Sequence, residues 1–246
     1  MTPNLEELYL EECNDFVELH MPVVCPKLKY LNLSGSRLSN FNLGMTPNLE
    51  ELYLKECNDF VQLNISEECP KPKVFNLGCS KASNLNLGLT PLLEKSECLE
   101  KLTLSVKDIT HLPDSICIFK HLKYIELESC WFLEQLPKDF DRLECLEELR
   151  IVDCTSLRDI PNSISNMKCL KCLHLPHCIL VKKLPEELGH LHCLKELNIE
   201  GTGITHLPQS IFQLKGLCIV WSRGRLELHG FTSLNIISEY TASCYI

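Results

Sequence analysis

The sequence lacks the features that would mark a membrane protein or a nucleic-acid-binding protein. None of its apolar runs approaches the roughly 20 residues that a transmembrane helix needs. The opening MTPNLEELYL has neither the basic nor the apolar region of a secretory signal peptide. Lys and Arg total 24 against 33 Asp and Glu, without a basic run, so neither nucleic acid nor a membrane is an expected partner. We expect a cytoplasmic protein, with the nucleus as an alternative compartment.

The motifs that signal catalysis are also missing. The sequence contains no phosphate-binding G-x-x-x-x-G-K-[ST], no G-x-G-x-x-G, no G-x-S-x-G and no H-E-x-x-H. Carboxylate pairs such as Glu6–Glu7 and Glu50–Glu51 fall in repeated segments, where a solvated surface explains them better than acid–base chemistry does. We therefore predict no catalytic residues and no cofactor, and we expect the chain not to be an enzyme.

What the sequence has is internal repetition. Residues 1–20 recur as 45–64 and residues 25–44 recur as 69–88, so a 44-residue block is duplicated. Each block holds two copies of L-x-x-L-x-L, and from residue 99 onward further copies start 23 or 24 residues apart. The copy at Pro72 is degraded, and the last one is weak, with Val220 in place of the middle leucine and Trp221 after it. Copies start at 5, 28, 49, 72, 99, 122, 146, 170, 194 and 217.

The repeat predicts the fold. An alternating segment such as EELYL is a short strand, and one unit alone cannot bury its apolar face, so units stack into a parallel sheet over a shared core. Later copies continue as L-P-x-x-I-x-x-L, in which each L-P starts a turn. The period lies in the window of leucine-rich repeats. We predict an α/β leucine-rich-repeat solenoid (horseshoe) of about ten repeats, with a parallel sheet on the concave side and short 3₁₀ or α turns and loops on the convex side.

The regularity of the repeat also suggests how the chain is organised. Residues 1–221 form the predicted leucine-rich-repeat domain, made of the duplicated blocks at 1–88, an irregular joint at 89–98 and regular repeats at 99–221. Residues 222–246 are expected to be a degenerate C-terminal cap, because solenoid ends need covering. Pro72 cannot donate to a central sheet ladder, so the fourth unit is expected to be weak.

The cysteines follow the repeat, and this position argues against a disulfide framework. Leucine-rich repeats place Asn, Cys or Thr three residues after the last leucine, so that the side chain bonds the turn backbone inside the coil. Ser36 and Thr202 occupy the same slot. We predict a buried ladder of reduced thiols and no disulfides. This ladder consists of Cys13, Cys57, Cys130, Cys154 and Cys178.

One group of cysteines and histidines invites a metal interpretation. Cys169-x-x-Cys172 lies near His174 and His177, and a second set with Cys193 follows one repeat later, which makes a zinc site conceivable. A convincing site needs a second ligand pair at matching spacing, however. Cys172 and His174 would share one face of a strand, but Cys169 and Cys178 belong to other slots of the repeat. We therefore predict no metal site.

The remaining candidate site is the sheet surface. The two positions that flank the middle leucine point out of the sheet and form two columns along the solenoid. The first column precedes the middle leucine and includes Glu7, Tyr30, Glu51, Val74, Lys101, Tyr124, Glu148, Cys172 and Glu196. The second column follows it and includes Tyr9, Asn32, Tyr53, Asn76, Thr103, Glu126, Arg150, His174 and Asn198. Tyrosines amid alternating charge are typical of protein-recognition surfaces. The predicted partner-binding residues are Tyr9, Tyr30, Tyr53, Lys101, Tyr124, Glu126, Arg150, His174 and Asn198.

The later copies carry a family resemblance. LKYIELESCWFLEQLPKDFDRLECL, residues 122–146, fits L-x-x-L-x-L-x-x-C-x-x-L-x-x-L-P-x-x-I-x-x-L-x-x-L. Over residues 1–221 the chain resembles the repeat region of plant intracellular nucleotide-binding leucine-rich-repeat disease resistance proteins of the Toll/interleukin-receptor type. The resemblance implies a recognition module of defence signalling. Its protein partner would be a pathogen effector, a host guardee or neighbouring receptor domains.

Two alternatives remain open beside that resemblance. Free-standing intracellular Ras-group-like scaffolds or adaptors also carry I-x-x-L-P-x-x-I, although they normally have Asn where this chain has Cys. An adaptor for a ligase, or a hydrolase fused to repeats, would need a segment that the sequence does not contain. The sequence also lacks a P-loop and a Toll-like domain, so nucleotide binding is not assigned to it.

Overall fold

The computed structural model describes residues 3–13, 15–19, 21, 23–59, 62–64, 72–79, 98–221 and 235–238. The chain divides into two compact units, 1–109 and 110–246. Residues 89–97 of the predicted joint lie outside the described residues, as does the predicted cap at 222–246 except for 235–238. The joint and the cap therefore stay predictions.

The described strands of the first unit are β1 Glu7–Tyr9, β2 Tyr30–Asn32, β3 Asn40–Asn42, β4 Glu51–Leu54, β5 Gln62–Asn64, β6 Val74–Cys79 and β7 Lys101–Val106. Five of them form a parallel sheet in the order β1-β2-β4-β6-β7. Its register places the middle residue of each repeat opposite the next, as for Leu8, Leu31 and Leu52. A second, two-stranded parallel sheet joins β3 to β5.

The fourth repeat pairs fully on both sides despite its proline. Pro72 lies before β6 and takes no position in the ladder, so its missing N–H costs no strand hydrogen bond. β6 pairs with β4 from Val74 to Leu77 and with β7 from Val74 to Cys79. Pro72 itself is buried.

The second unit continues the same parallel arrangement. Its described strands are β8 Tyr124–Glu128, β9 Glu148–Val152, β10 Cys172–His174, β11 Glu196–Asn198, β12 Cys218–Trp221 and β13 Asn235–Ser238. Here the register corrects the predicted last copy: Leu197 lies opposite Ile219, so Ile219 and not Val220 is the middle residue. Val220, not Trp221, therefore follows Asn198 in the second column. The interval from Leu197 to Ile219 is one or two residues shorter than the intervals between middle residues from Leu102 to Leu197, which the leucine pattern alone could not resolve.

The core is built from the leucine positions and from the return segments. Middle and last leucines of the inner repeats are buried, as are Ile116, Phe140, Ile164, Leu188 and Ile211 on the return side. Pro113, Pro161 and Pro208, each with φ near −65°, come directly before three of the 3₁₀ helices. The described 3₁₀ helices are Leu43–Met45, Asp114–Ile118, Phe140–Arg142, Asn162–Asn166, Leu188–His190 and Gln209–Gln213.

These elements confirm the predicted leucine-rich-repeat fold, with strands on one side and short 3₁₀ turns on the other. Within the described part of the chain, no helix is both long enough and apolar enough to span a bilayer.

A residue with a left-handed backbone follows β1, β2, β4, β8, β9, β10 and β11. Ser129, Asp153 and His177 have φ of 54°, 55° and 60°, and Gly35 and Gly201 take the equivalent place in other repeats. This residue always comes directly before the cysteine slot, so the left-handed turn directs the next side chain into the coil. Neighbouring turns are hydrogen-bonded to each other, as from the Ser129 N–H to the Val152 carbonyl at 2.9 Å.

Candidate functional site

The predicted cysteine ladder lies inside the coil. Cys57, Cys130, Cys154 and Cys178 are fully buried, whereas Cys13, in the first repeat, is half-buried. The Cys178 thiol donates to the Ile151 carbonyl at 3.2 Å and the Cys57 thiol to the Leu33 carbonyl at 3.2 Å. Burial raises the pKa of Cys178 to about 12, so its thiol stays protonated. The thirteen cysteines whose side chains the structure describes are free thiols.

The first unit presents three stacked tyrosines on its outward face. The ring centroids of Tyr9 and Tyr30 are 4.7 Å apart, and those of Tyr30 and Tyr53 are 5.2 Å apart. The rings meet because Tyr30 is in the first column while Tyr9 and Tyr53 are in the second, on strands that flank it. Tyr9 remains 56% exposed. The result is a ridge of aromatic surface, here called the tyrosine ridge, that crosses three adjacent strands.

Carboxylates hold this ridge in place. The Tyr9 hydroxyl donates to Glu7 Oε2 at 2.9 Å, and the Tyr53 hydroxyl donates to Glu51 Oε2 at 2.8 Å. The pKa of Tyr53 is raised by its burial and then by this bond to Glu51, so the phenol remains a neutral donor. Lys101, the fourth predicted residue of this unit, is exposed on β7, with Val74 opposite it on β6.

A polar cavity of about 300 Å³ lies beside the tyrosine ridge, where the strands end. Asn76 Oδ1 is buried there without a hydrogen-bond partner among the described residues. Sequence reasoning missed the acidic residues at this edge. The signal that could have found them is their fixed offset after the last leucine of the repeat. The cavity is lined by Glu11, Glu12, Asn32, Ser34, Gly35, Tyr53, Lys55, Glu56 and Asn76.

In the second unit, Arg150 is the centre of the predicted surface. Its Nε lies 3.3 Å from Glu126 Oε1, and its Nη1 lies 3.4 Å from Glu148 Oε1. Both carboxylates belong to the outward columns, so the guanidinium is held between two anions. Tyr124 is half-buried in the same patch, and its pKa is raised by burial and by the charge of Glu126.

The next two strands carry His174, Glu196 and Cys172. His174 Nε2 lies 3.4 Å from Glu196 Oε2, and the imidazole side chain is only 15% exposed. Burial, followed by the charge of Arg150, lowers the pKa of His174. Burial and the Glu196 charge raise the pKa of the Cys172 thiol to about 11. His174 is therefore a neutral, packed residue of the patch.

Asn198 has a local structural role. Its Oδ1 accepts a hydrogen bond from the Glu200 N–H at 2.9 Å, and Asn32 does the same for the Ser34 N–H at 3.0 Å. Both side chains thus cap the turn after their strand, which the column pattern does not reveal. The structure brings the predicted residues together in two groups, one in each unit: Tyr9, Tyr30, Tyr53 and Lys101, and then Tyr124, Glu126, Arg150, His174 and Asn198.

No protein-family model and no curated protein matches the sequence of this chain. Solved structures do resemble it. The leucine-rich-repeat domain of the type III effector XopL is 25% identical, with a TM-score of 0.52 over 78% of this chain. The leucine-rich-repeat ectodomain of the plant membrane receptor kinase GASSHO1/SCHENGEN3 from Arabidopsis thaliana is 18% identical, with a TM-score of 0.56 over 87%. The chain spans 60% and 32% of these two proteins' chains, respectively. Their likeness agrees with the strand register above: the chain has the leucine-rich-repeat fold.

Proposed function

We propose that this chain is a protein-binding leucine-rich-repeat module, not an enzyme, and that it binds through the outward columns of its sheets. The observation that carries the proposal is the tyrosine ridge, in which Tyr9, Tyr30 and Tyr53 stack and two hydroxyls are fixed by carboxylates. Tyrosines supply a large amphipathic contact area at a low cost in side-chain entropy. Because the ridge is already ordered, binding loses little further freedom.

A solved relative supports a protein ligand. The GASSHO1/SCHENGEN3 ectodomain, which shares the fold, was solved in complex with CASPARIAN STRIP INTEGRITY FACTOR 2. The second unit offers a complementary chemistry, since Arg150 lies between Glu126 and Glu148 on an otherwise acidic chain. Mixed charge of this kind favours a polar protein surface over a polyanion.

The finer proposal is that the module is the recognition and regulatory part of a plant disease resistance protein in defence signalling. We propose the cytoplasm as its location and a pathogen effector, a host guardee or neighbouring receptor domains as its partner. The cysteine slot supports this assignment. Four buried cysteines occupy the repeat position at which the plant disease resistance proteins that the chain resembles have Cys.

A free-standing Ras-group-like scaffold is the second candidate. The 3₁₀ helices that follow Pro113, Pro161 and Pro208 favour it, because that group carries the same L-P-x-x-I element. Sequencing the genomic region upstream of Met1 discriminates between the two. A P-loop and a Toll-like domain in the same reading frame favour the resistance protein, and their absence from that region favours the scaffold.

Site-specific photo-crosslinking tests the proposed surface. A benzophenone amino acid at Tyr30 or Tyr124 should crosslink a protein partner, because both residues lie in the outward columns. The matched control is Phe212, an exposed aromatic residue on the 3₁₀ helix Gln209–Gln213 of the return side. Equal crosslinking from all three positions, or crosslinking from Phe212 alone, would contradict binding by the columns.

Charge reversal then measures the contribution of the second unit. We expect Arg150→Glu to lower the affinity for the crosslinked partner by at least about tenfold. The new carboxylate repels Glu126 and Glu148, and the substitution removes the cation of the patch. Lys120→Glu makes the same charge change on the return side, where Lys120 lies 3.7 Å from Glu144, and should change affinity less than about twofold. Lys101→Glu tests the first unit in the same way. Wild-type affinity in both Arg150→Glu and Lys101→Glu would refute the proposed role of these columns.

A further inference from the structure

The second unit brings three different metal-binding side chains to one point. Cys172 Sγ, a His174 ring nitrogen and a Glu196 carboxylate oxygen all lie within 4.8 Å of one another. Cys172 and His174 are two residues apart on β10 and so share a face. Glu196 is directly opposite Cys172 on β11, because the parallel register pairs these two residues. The cluster is thus a consequence of strand pairing and not of a local sequence motif.

We propose that Cys172, His174 and Glu196 form a zinc-binding site with three protein ligands and one open position. The proposal goes beyond partner recognition and does not depend on it. It also revises the prediction of no metal, which considered Cys169 and Cys172 as the ligand pair. The structure instead combines Cys172 with the adjacent strand.

The donor set fits zinc. Thiolate, imidazole and carboxylate are its ordinary protein ligands, and a site with three of them leaves a position for water. In a tetrahedral site, bonds of about 2.0 to 2.3 Å put neighbouring ligand atoms about 3.5 Å apart. The observed separations therefore have to close by at most roughly 1.3 Å. His174 Nε2 and Glu196 Oε2 are already 3.4 Å apart, so this change falls on the two separations that involve Cys172 Sγ.

The local charge also suits a divalent cation. A Cys172 thiolate and the Glu196 carboxylate neutralise two positive charges, while His174 binds as the neutral ring. Arg150 is the nearby cation, but its guanidinium already contacts Glu126 and Glu148 at 3.3 and 3.4 Å. Glu148 is opposite Cys172 on β9 and adds a further negative charge at this position.

Zinc-protected alkylation of the full, reduced chain tests the site directly. With one equivalent of Zn²⁺, iodoacetamide should label Cys172 more slowly, while half-buried Cys169 on the same segment keeps its labelling rate. Peptide mass spectrometry separates the two cysteines. No protection of Cys172 in the wild-type chain overturns the proposal. Protection of Cys172 and Cys169 to the same extent also overturns it, because it indicates nonspecific binding by thiols.

Ligand variants test the other two donors. We expect His174→Gln and Glu196→Gln each to weaken Zn²⁺ binding by at least about 100-fold, because even the loss of an outer-shell partner costs 10- to 100-fold. His192→Gln, at an exposed histidine, is the matched control and should bind as the wild type does. Far-ultraviolet circular dichroism confirms that each variant is folded. Unchanged affinity in both ligand variants overturns the site, whatever the wild-type protection shows.

Cobalt gives an independent readout of the thiolate. Co²⁺ at one equivalent should produce a thiolate-to-cobalt charge-transfer band, since Cys172 would be a direct ligand. The band should disappear in Cys172→Ser and remain in Cys169→Ser. A band that survives Cys172→Ser assigns the metal to other cysteines and refutes the proposal.

Discussion

Cys178 and Cys193 lie in adjacent repeats, yet their thiols meet different surroundings. Cys178 occupies the turn slot, where it is fully buried and donates to a carbonyl, and its pKa is raised to about 12. Cys193 precedes the first leucine of the next repeat and is exposed. The slot in the repeat therefore determines the chemistry of each cysteine.

This difference predicts selective alkylation. At pH 8, a pKa of about 12 leaves only about one Cys178 thiol in 10⁴ ionised, and burial also excludes the reagent. We expect iodoacetamide to modify Cys193 in the native chain and to modify Cys178 only after unfolding, as read by peptide mass spectrometry. Equal rates at the two cysteines without denaturant would show that the ladder is not a closed interior.

The left-handed residue before each cysteine slot gives a second prediction. Ser129 has φ of 54°, a conformation that costs a residue with a Cβ about 1 kcal/mol relative to glycine. We expect Ser129→Gly to raise the free energy of unfolding by about 1 kcal/mol, measured by urea denaturation. Ser156→Gly is the control, because Ser156 has an ordinary negative φ and the change should lower stability by about 0.4 to 1 kcal/mol. The same sign for both substitutions would contradict this reasoning.

At the scale of the element, the contact between two 3₁₀ helices depends on a glycine. A Cβ built on Gly189 would lie 1.9 Å from the Ser210 carbonyl oxygen, and the Gly189 N–H donates to Ser210 Oγ at 2.9 Å. Ser210 Oγ in turn donates to the Glu186 carbonyl at 2.6 Å. The helices Leu188–His190 and Gln209–Gln213 therefore approach each other backbone to backbone.

Substitution of this glycine should separate the two helices. We expect Gly189→Ala to lower the free energy of unfolding by about 1 to 3 kcal/mol, because the backbone has to shift to admit the methyl group. Ser210→Ala keeps the close approach and loses only a hydrogen-bonding hydroxyl, so it should cost about 0.5 to 1.5 kcal/mol. Urea denaturation ranks the two variants. A neutral Gly189→Ala would mean that the helices can separate freely.

The strands, the core leucines, the 3₁₀ returns and the cysteine slot are predictable from the sequence, since each depends on a pattern within one repeat. Features that depend on contacts with the neighbouring repeat are not predictable in this way. The register of Ile219, the space around Gly189 and the meeting of Cys172 with Glu196 arise only when strands are paired. Asn198 lies in the predicted column, but the hydrogen bond by which its amide caps the following turn does not follow from the column pattern.

At the scale of the molecule, stability in a stacked-repeat fold is a sum of contacts between neighbours. Leu173 is fully buried on β10, with Leu149 and Leu197 in register on either side. A cavity at this residue therefore affects the two adjacent repeats directly and more distant repeats of the unit only through them.

Hydrogen exchange can measure how many repeats a cavity at Leu173 affects. We expect Leu173→Ala to cost about 2 to 5 kcal/mol and to increase amide exchange most in β9, β10 and β11. The increase should be smaller in β8 and β12 of the same unit. Leu180→Ala, at a 39% exposed residue, should change stability by about 0.5 kcal/mol or less. Equal acceleration across all strands of the unit would indicate all-or-none unfolding instead.

The duplicated block has a consequence for how such a surface can change in evolution. β1 pairs with β2 inside one block, and β2 pairs with β4 across the junction of two blocks, in the same register. A gene that gains or loses 44 residues therefore leaves every remaining strand correctly paired. Tyr9 and Tyr53 are the same position in successive blocks, whereas the position of Tyr30 is Val74 in the second block, so each such event adds or removes one or two rings of the tyrosine ridge. Unequal recombination could thus change what the module binds in steps of one or two tyrosines, without passing through an unfolded protein.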